Sequence, residues 1–181
     1  MAKPTVDAEP SEGTHLEMVE IRDSLIPGAG KGLFAKVAIP AGTYIGSYHG
    51  AYVTDPEIDA LDDLRAEYLF LLPDCAEEGE HTGIAGDLDH PISKVNYAPA
   101  ELNGQPTHLR NVDFMEYCER PYERLYTTRA VRAGEELYTD YGSEYPYTFM
   151  ALQSVQQHFL DVTGIPAQAE FTWEYAEEMA K

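Results

Sequence analysis

Turns break this chain at short intervals. Gly28, Gly30 and Gly32 crowd into one bend, Leu33-Phe34-Ala35 follows, and Ile39-Pro40-Ala41-Gly42 bends the chain again. The next apolar run, Thr43 to Tyr48, meets Gly50. Runs this short suit β-strands joined by tight turns and leave no room for regular crossover helices. That spacing predicts a strand-rich α+β fold rather than a doubly wound sheet.

A glycine cluster beside a lysine first suggests a phosphate cradle. A phosphate loop needs G-x-x-x-x-G-K-[ST] between a buried strand and a long helix. Here Lys31 is followed by Gly32, Leu33 and Phe34, with no Ser or Thr and another turn in place of a helix. The dinucleotide fingerprint fails for the same reason.

Along the rest of the chain, alternation over Leu16 to Ile21 predicts a half-buried strand. Thr54-Asp55-Pro56-Glu57 reads as a helix start, with Ile58, Leu61 and Leu64 at helical spacing behind it. Tyr68 to Leu72 reads as a strand, and the acidic, glycine-bearing stretch 73–86 as a surface excursion. A short helical segment around Ile92 to Tyr97 precedes a loop from Pro99 to Pro106. Strands are expected over Asn111 to Tyr117, Arg124 to Ala130 and Glu136 to Thr139. Phe149, Leu152, Gln156 and Phe159 mark a helix ended by Gly164, and a second helix is expected from about Ala167 to Ala180. Residues 1–14, rich in Pro, Glu and small residues, read as a disordered tail.

Thirty-two acids against twelve Lys and Arg give a net charge of −20 among 181 residues. Direct binding to a nucleic-acid backbone is not expected of such a chain. The charge favours a basic partner such as a lysine-rich peptide; solubility, or life in a salty interior, explains it equally well. Cys75 and Cys118 are the only cysteines, without a C-x-x-C pair, so neither a self-contained zinc cluster nor a disulfide is expected. The six histidines have no metal-ligand spacing, and no metal is expected. The polar, acidic N-terminus resembles neither a signal nor a transit peptide, and no stretch reaches the length of a membrane span. An intracellular protein, nuclear or cytoplasmic, with reduced thiols is the expectation; nothing bears on its oligomeric state. Thirteen tyrosines suit either a channel with an apolar wall and hydroxyls at its end, or half-buried strand faces.

Four elements in order carry a resemblance. GKGLFA begins at Gly30, SYHG ends at Gly50, KVNYAP covers Lys94 to Pro99, and RAVRAGEELYTDYG covers Arg129 to Gly142. Together they closely resemble the SET domain of protein-lysine methyltransferases, over roughly residues 16 to 145. The resemblance implies a β-clip of small sheets with a pseudoknot-like crossing, S-adenosylmethionine as methyl donor, and a lysine-bearing basic protein as substrate. A histone tail is the first guess; a ribosomal or other basic protein is the alternative. The implied layout is a catalytic domain over 15–145 and a C-terminal helical segment over 146–181.

The chemistry accounts for such a grouping. Methyl transfer from a sulfonium is an in-line displacement that requires sulfur, methyl carbon and lysine nitrogen to be aligned. The lysine must be neutral, although its free pKa is about 10.4. A tyrosine-lined apolar channel disfavours the ammonium, and the sulfonium charge acts in the same direction.

The resemblance implies donor contacts from Gly30, Lys31, Gly32, Leu33, Asn96 and Tyr97. It assigns Tyr141 as the catalytic tyrosine that orients the lysine and the reacting methyl, in contact with the donor. Tyr48 falls on a catalytic and lysine-channel tyrosine, and Asn111 on the second asparagine of the motif. Phe114, Thr139 and Tyr145 are further channel positions. Tyr97 replaces a usual histidine, and Thr139 stands where many members have Phe or Tyr. A pocket without a limiting phenol implies di- or trimethylation. The cysteine-rich zinc segment of several subfamilies is absent, so Phe149, Phe171, Trp173 and Tyr175 are candidates to close the channel. Glu135-Glu136 reads as part of a turn. A different class of function is a SET-like module that binds a basic peptide or the donor without turnover.

Overall fold

A computed structural model describes residues 15–142, 145 and 147–166. The expected N-terminal tail, the helix over 167–180, and Phe171, Trp173 and Tyr175 lie outside the described residues.

The first glycine bend joins an antiparallel hairpin, β1 (Val19–Asp23) and β2 (Lys31–Ala35). Gly28 and Gly30 adopt φ of +82° and +71°, which a side chain would strain. Leu16–Met18, expected as strand, is a single 3-10 turn before β1. β3 (Tyr44–Ser47) joins the sheet of β10 (Val112–Glu116) and β11 (Glu123–Thr127), in the order β10-β11-β3. β4 (Gly50–Thr54), β5 (Leu69–Leu71) and β6 (His81–Gly86) form a second three-stranded sheet with β6 in the centre.

The central place of β6 corrects the expectation of a surface excursion over 73–86. Its glycines are close-approach sites rather than turns. A Cβ on Gly83 would lie 2.9 Å from Leu69 Cδ1, and one on Gly86 would lie 2.2 Å from the Tyr48 hydroxyl. The expected helix through Ile58, Leu61 and Leu64 is two four-residue helices, α1 (Asp55–Ile58) and α2 (Asp63–Ala66). Thr54 opens α1 as expected, its N–H donating to the Glu57 carboxylate at 2.9 Å.

Pro91–Lys94 forms a 3-10 turn that leads into β7 (Asn96–Tyr97). β8 (Glu101–Leu102) and β9 (Gln105–Pro106) make a small hairpin in the expected loop. β12 (Tyr138–Thr139) runs parallel to β7, pairing Tyr138 with Asn96 and Thr139 with Tyr97. The fully buried Asn111 holds this segment from its other side. Its amide donates to Glu136 O at 2.8 Å, and its Oδ1 accepts from the Tyr138 N–H at 2.9 Å. Residues 136–139 therefore run between the Asn96 strand and Asn111, at the place where the resemblance implies a crossing.

Two cores flank that crossing. Leu33, Ile45, Leu125 and Leu137 belong to the larger. α3 (Gln153–Thr163) contributes Val155 and Phe159 to the other, against Ala98, Leu102 and Tyr138. Gly164, with φ of +72°, ends α3 where the sequence places its stop. No helix among the described residues is long and apolar enough to cross a membrane.

The cysteines overturn the expectation of free thiols. Cys75 and Cys118, 43 positions apart, form a disulfide with Cα atoms 5.1 Å apart. It ties the β5–β6 loop to the β10–β11 turn, where Glu78 also pairs with Arg120 and accepts from the Tyr122 hydroxyl. Neither residue has a partner nearby in sequence, so only the packing of these two loops shows the link.

Candidate active site

Tyr141 lies two residues beyond the end of β12, so the parallel β7–β12 pair sets its position beside the Asn96 strand. Its hydroxyl donates to Val95 O at 2.9 Å. Burial, then Tyr145, Tyr68 and Tyr48, hold its phenol well above the ordinary tyrosine pKa. Such a phenol keeps its proton at neutral pH and acts as a donor, not as a base.

Two groups of aromatic rings lie in this region. Tyr97 and Tyr145 lie 5.8 and 4.8 Å from the Tyr141 ring, centroid to centroid. Tyr147 and Phe149 extend that wall, at 4.5 and 5.9 Å from Tyr97. On the other side the Tyr48 ring packs on Phe70 at 4.5 Å and edge-on to Phe114 at 5.9 Å. The Tyr48 hydroxyl donates to Tyr68 O at 2.7 Å, and burial followed by Tyr68 raises its pKa. Tyr68 and Tyr48 both help raise the Tyr141 phenol, so the two groups of rings lie within electrostatic reach of each other.

The glycine bend serves two different purposes. At Gly28 and Gly30 an added Cβ would meet nothing within 4 Å, which leaves backbone open to an approaching ligand. At Gly32 an added Cβ would lie 2.1 Å from Glu136 Oε1, so the missing side chain makes room for a carboxylate. Glu136 is 1% exposed and accepts from four donors. These are Ser24 Oγ at 2.7 Å, the Leu25 N–H at 2.8 Å, Asn96 Nδ2 at 3.0 Å and the Tyr138 hydroxyl at 2.8 Å. Asn96 Nδ2 also donates to Lys31 O at 3.0 Å. Asn96 thus fastens the Lys31–Leu33 backbone to β12 through Glu136.

The expected residues separate accordingly. Gly30, Lys31, Gly32, Leu33, Asn96 and Tyr97 lie along the β2 and β7 edge; Leu33 is fully buried in the core, and the Lys31 ammonium meets Asp23 at 2.6 Å. Tyr48 and Phe114 share one cluster and Tyr145 lies with Tyr141. Thr139 is fully buried, and among the described residues its hydroxyl reaches only Asp140 O, at 3.4 Å. Glu135 does sit in a turn, accepting from the Arg132 N–H at 2.9 Å and pairing with Arg129.

Sequence reasoning missed Glu136, Tyr68, Phe70 and Arg110. Arg110 lies 5.3 Å above the Tyr97 ring and pairs with Asp140. For Glu136 the available signal was an acid between buried strand positions, where a solvated carboxylate cannot stand unpaired. Among the described residues, no group of three His, Cys, Asp or Glu could hold a metal ion.

The SET domain family model matches residues 30–142. The fold is similar to that of a solved structure of the Neurospora SET domain protein DIM-5, a histone lysine methyltransferase. That likeness has a TM-score of 0.53 at 18% identity and covers 71% of this chain and 53% of the other. At that identity it shows the fold alone, and this chain spans about half the length of that one.

Proposed function

The chain belongs to the SET domain family, and from that premise we propose that it is an S-adenosylmethionine-dependent protein-lysine N-methyltransferase. One observation carries the reading: the Tyr141 phenol, protonated and donating to Val95 O, stands against Tyr97 and Tyr145 and within electrostatic reach of Tyr48, which packs on Phe70 and Phe114. A binder has no need of such a donor; methyl transfer does.

The open backbone at Gly28 and Gly30, the Lys31–Leu33 strand and the aromatic surface of Tyr97 fit a bound methyl donor. Gly30, Lys31, Gly32, Asn96 and Tyr97 are the residues that would hold it, with Leu33, fully buried, anchoring their strand in the core. When bound, it supplies an electrophilic methyl on a positively charged sulfur. Tyr48 and Phe114 present an apolar wall to the substrate lysine, which disfavours the ammonium and releases its proton to water. With the donor bound, the neutral amine would take its methyl group, the carbon–sulfur bond breaking as the carbon–nitrogen bond forms and the positive charge passing from sulfur to the product nitrogen. Tyr141 orients the amine; its raised pKa excludes it as the base. Ring faces of Tyr48 and Tyr145 accommodate the cationic product.

The substrate is a basic protein, to which a net charge of −20 is complementary, and a histone tail is the first candidate. The test is mass spectrometry after incubation with donor and a mixture of histones and other lysine-rich proteins. Methyl-lysine on a defined site supports the reading; donor binding without product refutes it. The second reading, a module that binds without turnover, is favoured by Tyr97, which replaces a usual histidine and packs its ring among Tyr141, Tyr147 and Phe149.

A further inference from the structure

Cys75 and Cys118 are both exposed residues, so their disulfide lies at the surface. Thiol–disulfide exchange depends on access, and exposed disulfides are the labile ones. Acids stand on both sides of the link: Asp74, Glu77 and Glu80 on one, Glu116 and Glu119 on the other, all exposed. They repel a multiply charged thiolate such as that of glutathione and favour a less charged dithiol.

The link also lies beside a groove of about 340 Å³, whose lining includes Tyr48, Tyr52, Arg120 and Pro121. Arg120, two residues beyond Cys118, holds its guanidinium 4.3 Å above the Tyr52 ring. Glu78, three residues beyond Cys75, accepts from Arg120 Nε and Nη2 and from the Tyr122 hydroxyl. One wall of the groove is thus held by a loop that the disulfide fastens. The Arg120 side chain is 60% exposed, and an ion pair so open to water contributes little by itself. The covalent tie keeps Glu78 in place to neutralise Arg120.

We propose that Cys75–Cys118 is a thiol-exchange site for a dithiol reductant, and that its reduction releases the groove wall beside Tyr48. A thiolate of the reductant attacks one sulfur. The Cys–Cys bond breaks as a mixed disulfide forms, and the other cysteine leaves as a thiolate that takes a proton from water. The second thiolate of the reductant displaces the remaining cysteine, which is protonated in turn. Two electrons and two protons pass to the protein, and the reductant closes to its own disulfide. Reduced, the loop over 72–80 holds Arg120 through the solvent-open Glu78 pair without a covalent tie, and the Arg120 charge is freed towards the groove. Resting on the lysine-peptide reading above, that charge repels a basic substrate, so the oxidised form is the one that binds it.

The test uses the full chain. Thiol trapping with mass spectrometry follows reduction of the native protein by dithiothreitol, and circular dichroism reports the fold. Amide hydrogen exchange over 72–80 and 117–122 reads the groove wall, and calorimetry with a lysine-bearing basic peptide reads its occupancy. The disulfide is expected to open without unfolding. Exchange over both segments should rise by about tenfold while β11 stays slow, and the peptide should bind about tenfold more weakly. Cys75→Ser combined with Cys118→Ser should match reduced wild type and ignore dithiothreitol; if that variant does not fold, the two states of wild type carry the comparison. A disulfide that yields only on unfolding overturns the inference, as does reduced protein with unchanged exchange or unchanged peptide affinity. Loosened loops with no peptide bound in either state would refute the lysine-peptide reading and leave the exchange site standing.

Discussion

Asn96 Nδ2 lies 3.0 Å from Glu136 Oε1, joining β7 to the buried carboxylate below β12. Because Nδ2 also holds Lys31 O, Asn96→Ala is expected to loosen the β2 edge and weaken donor binding by roughly 1–3 kcal/mol. Glu136→Ala leaves four donors unpaired and should lower unfolding stability by about 3 kcal/mol or more. Calorimetry with the donor and urea unfolding check the two; unchanged donor affinity in Asn96→Ala would remove that residue from the donor site.

Tyr141→Phe removes the hydroxyl that donates to Val95 O and leaves the ring among its neighbours. Turnover should fall by about two orders of magnitude or more while donor affinity stays within a few-fold. Single-turnover methylation reads the first and titration the second. Near-normal turnover would strip Tyr141 of its role.

The Glu123 carboxyl gives stability a pH dependence of definite sign. Its folded pKa of about 8 lies above the unfolded value near 4.5. Between these values the folded chain binds the extra proton, so stability falls as pH rises from about 5 to 9. The stabilising contribution is complete below the unfolded pKa and lost on passing the folded one. Glu123→Gln mimics the protonated form and should unfold at a higher temperature than wild type at pH 9, with the gap closing towards pH 5. A gap that does not change with pH would show that Glu123 stays ionised.

Cys75 and Cys118 close a loop of 43 positions. Replacing both with serine should cost about 4 kcal/mol on the chain-entropy account of disulfides. Denaturant melts of the oxidised protein and the double variant measure this, and equal midpoints would show that the loops hold without the link.

Thr139 and Phe114 occupy expected channel positions, and neither carries a phenol. With no phenol there to hold a water against the amine, and the buried Thr139 hydroxyl turned to Asp140 O, the product should advance to two or three methyls. Time-resolved mass spectrometry on a peptide follows the count. Product stalled at one methyl with donor in excess would indicate that a phenol from Tyr48 or Tyr145 narrows the pocket.

Turns, caps and motif order were legible in the sequence because they depend on a few adjacent residues. Gly28, Gly30 and Gly164 adopt the left-handed backbone that a bend or helix stop requires, and Thr54-Asp55-Pro56-Glu57 starts a helix. The ordered elements from Gly30 to Gly142 identified the family and the fold class. Only tertiary structure decided which glycines were not turns at all: Gly32, Gly83 and Gly86 admit a carboxylate, a leucine and a tyrosine from distant segments. The same holds for the acids. Glu135 and Glu136 are neighbours, yet one lies in a turn and the other receives four hydrogen bonds in the interior. Glu123 and the two cysteines likewise acquire their surroundings from strands and loops far along the chain. Local sequence determines backbone conformation; burial and pairing arise from long-range contacts, which no short window of residues contains.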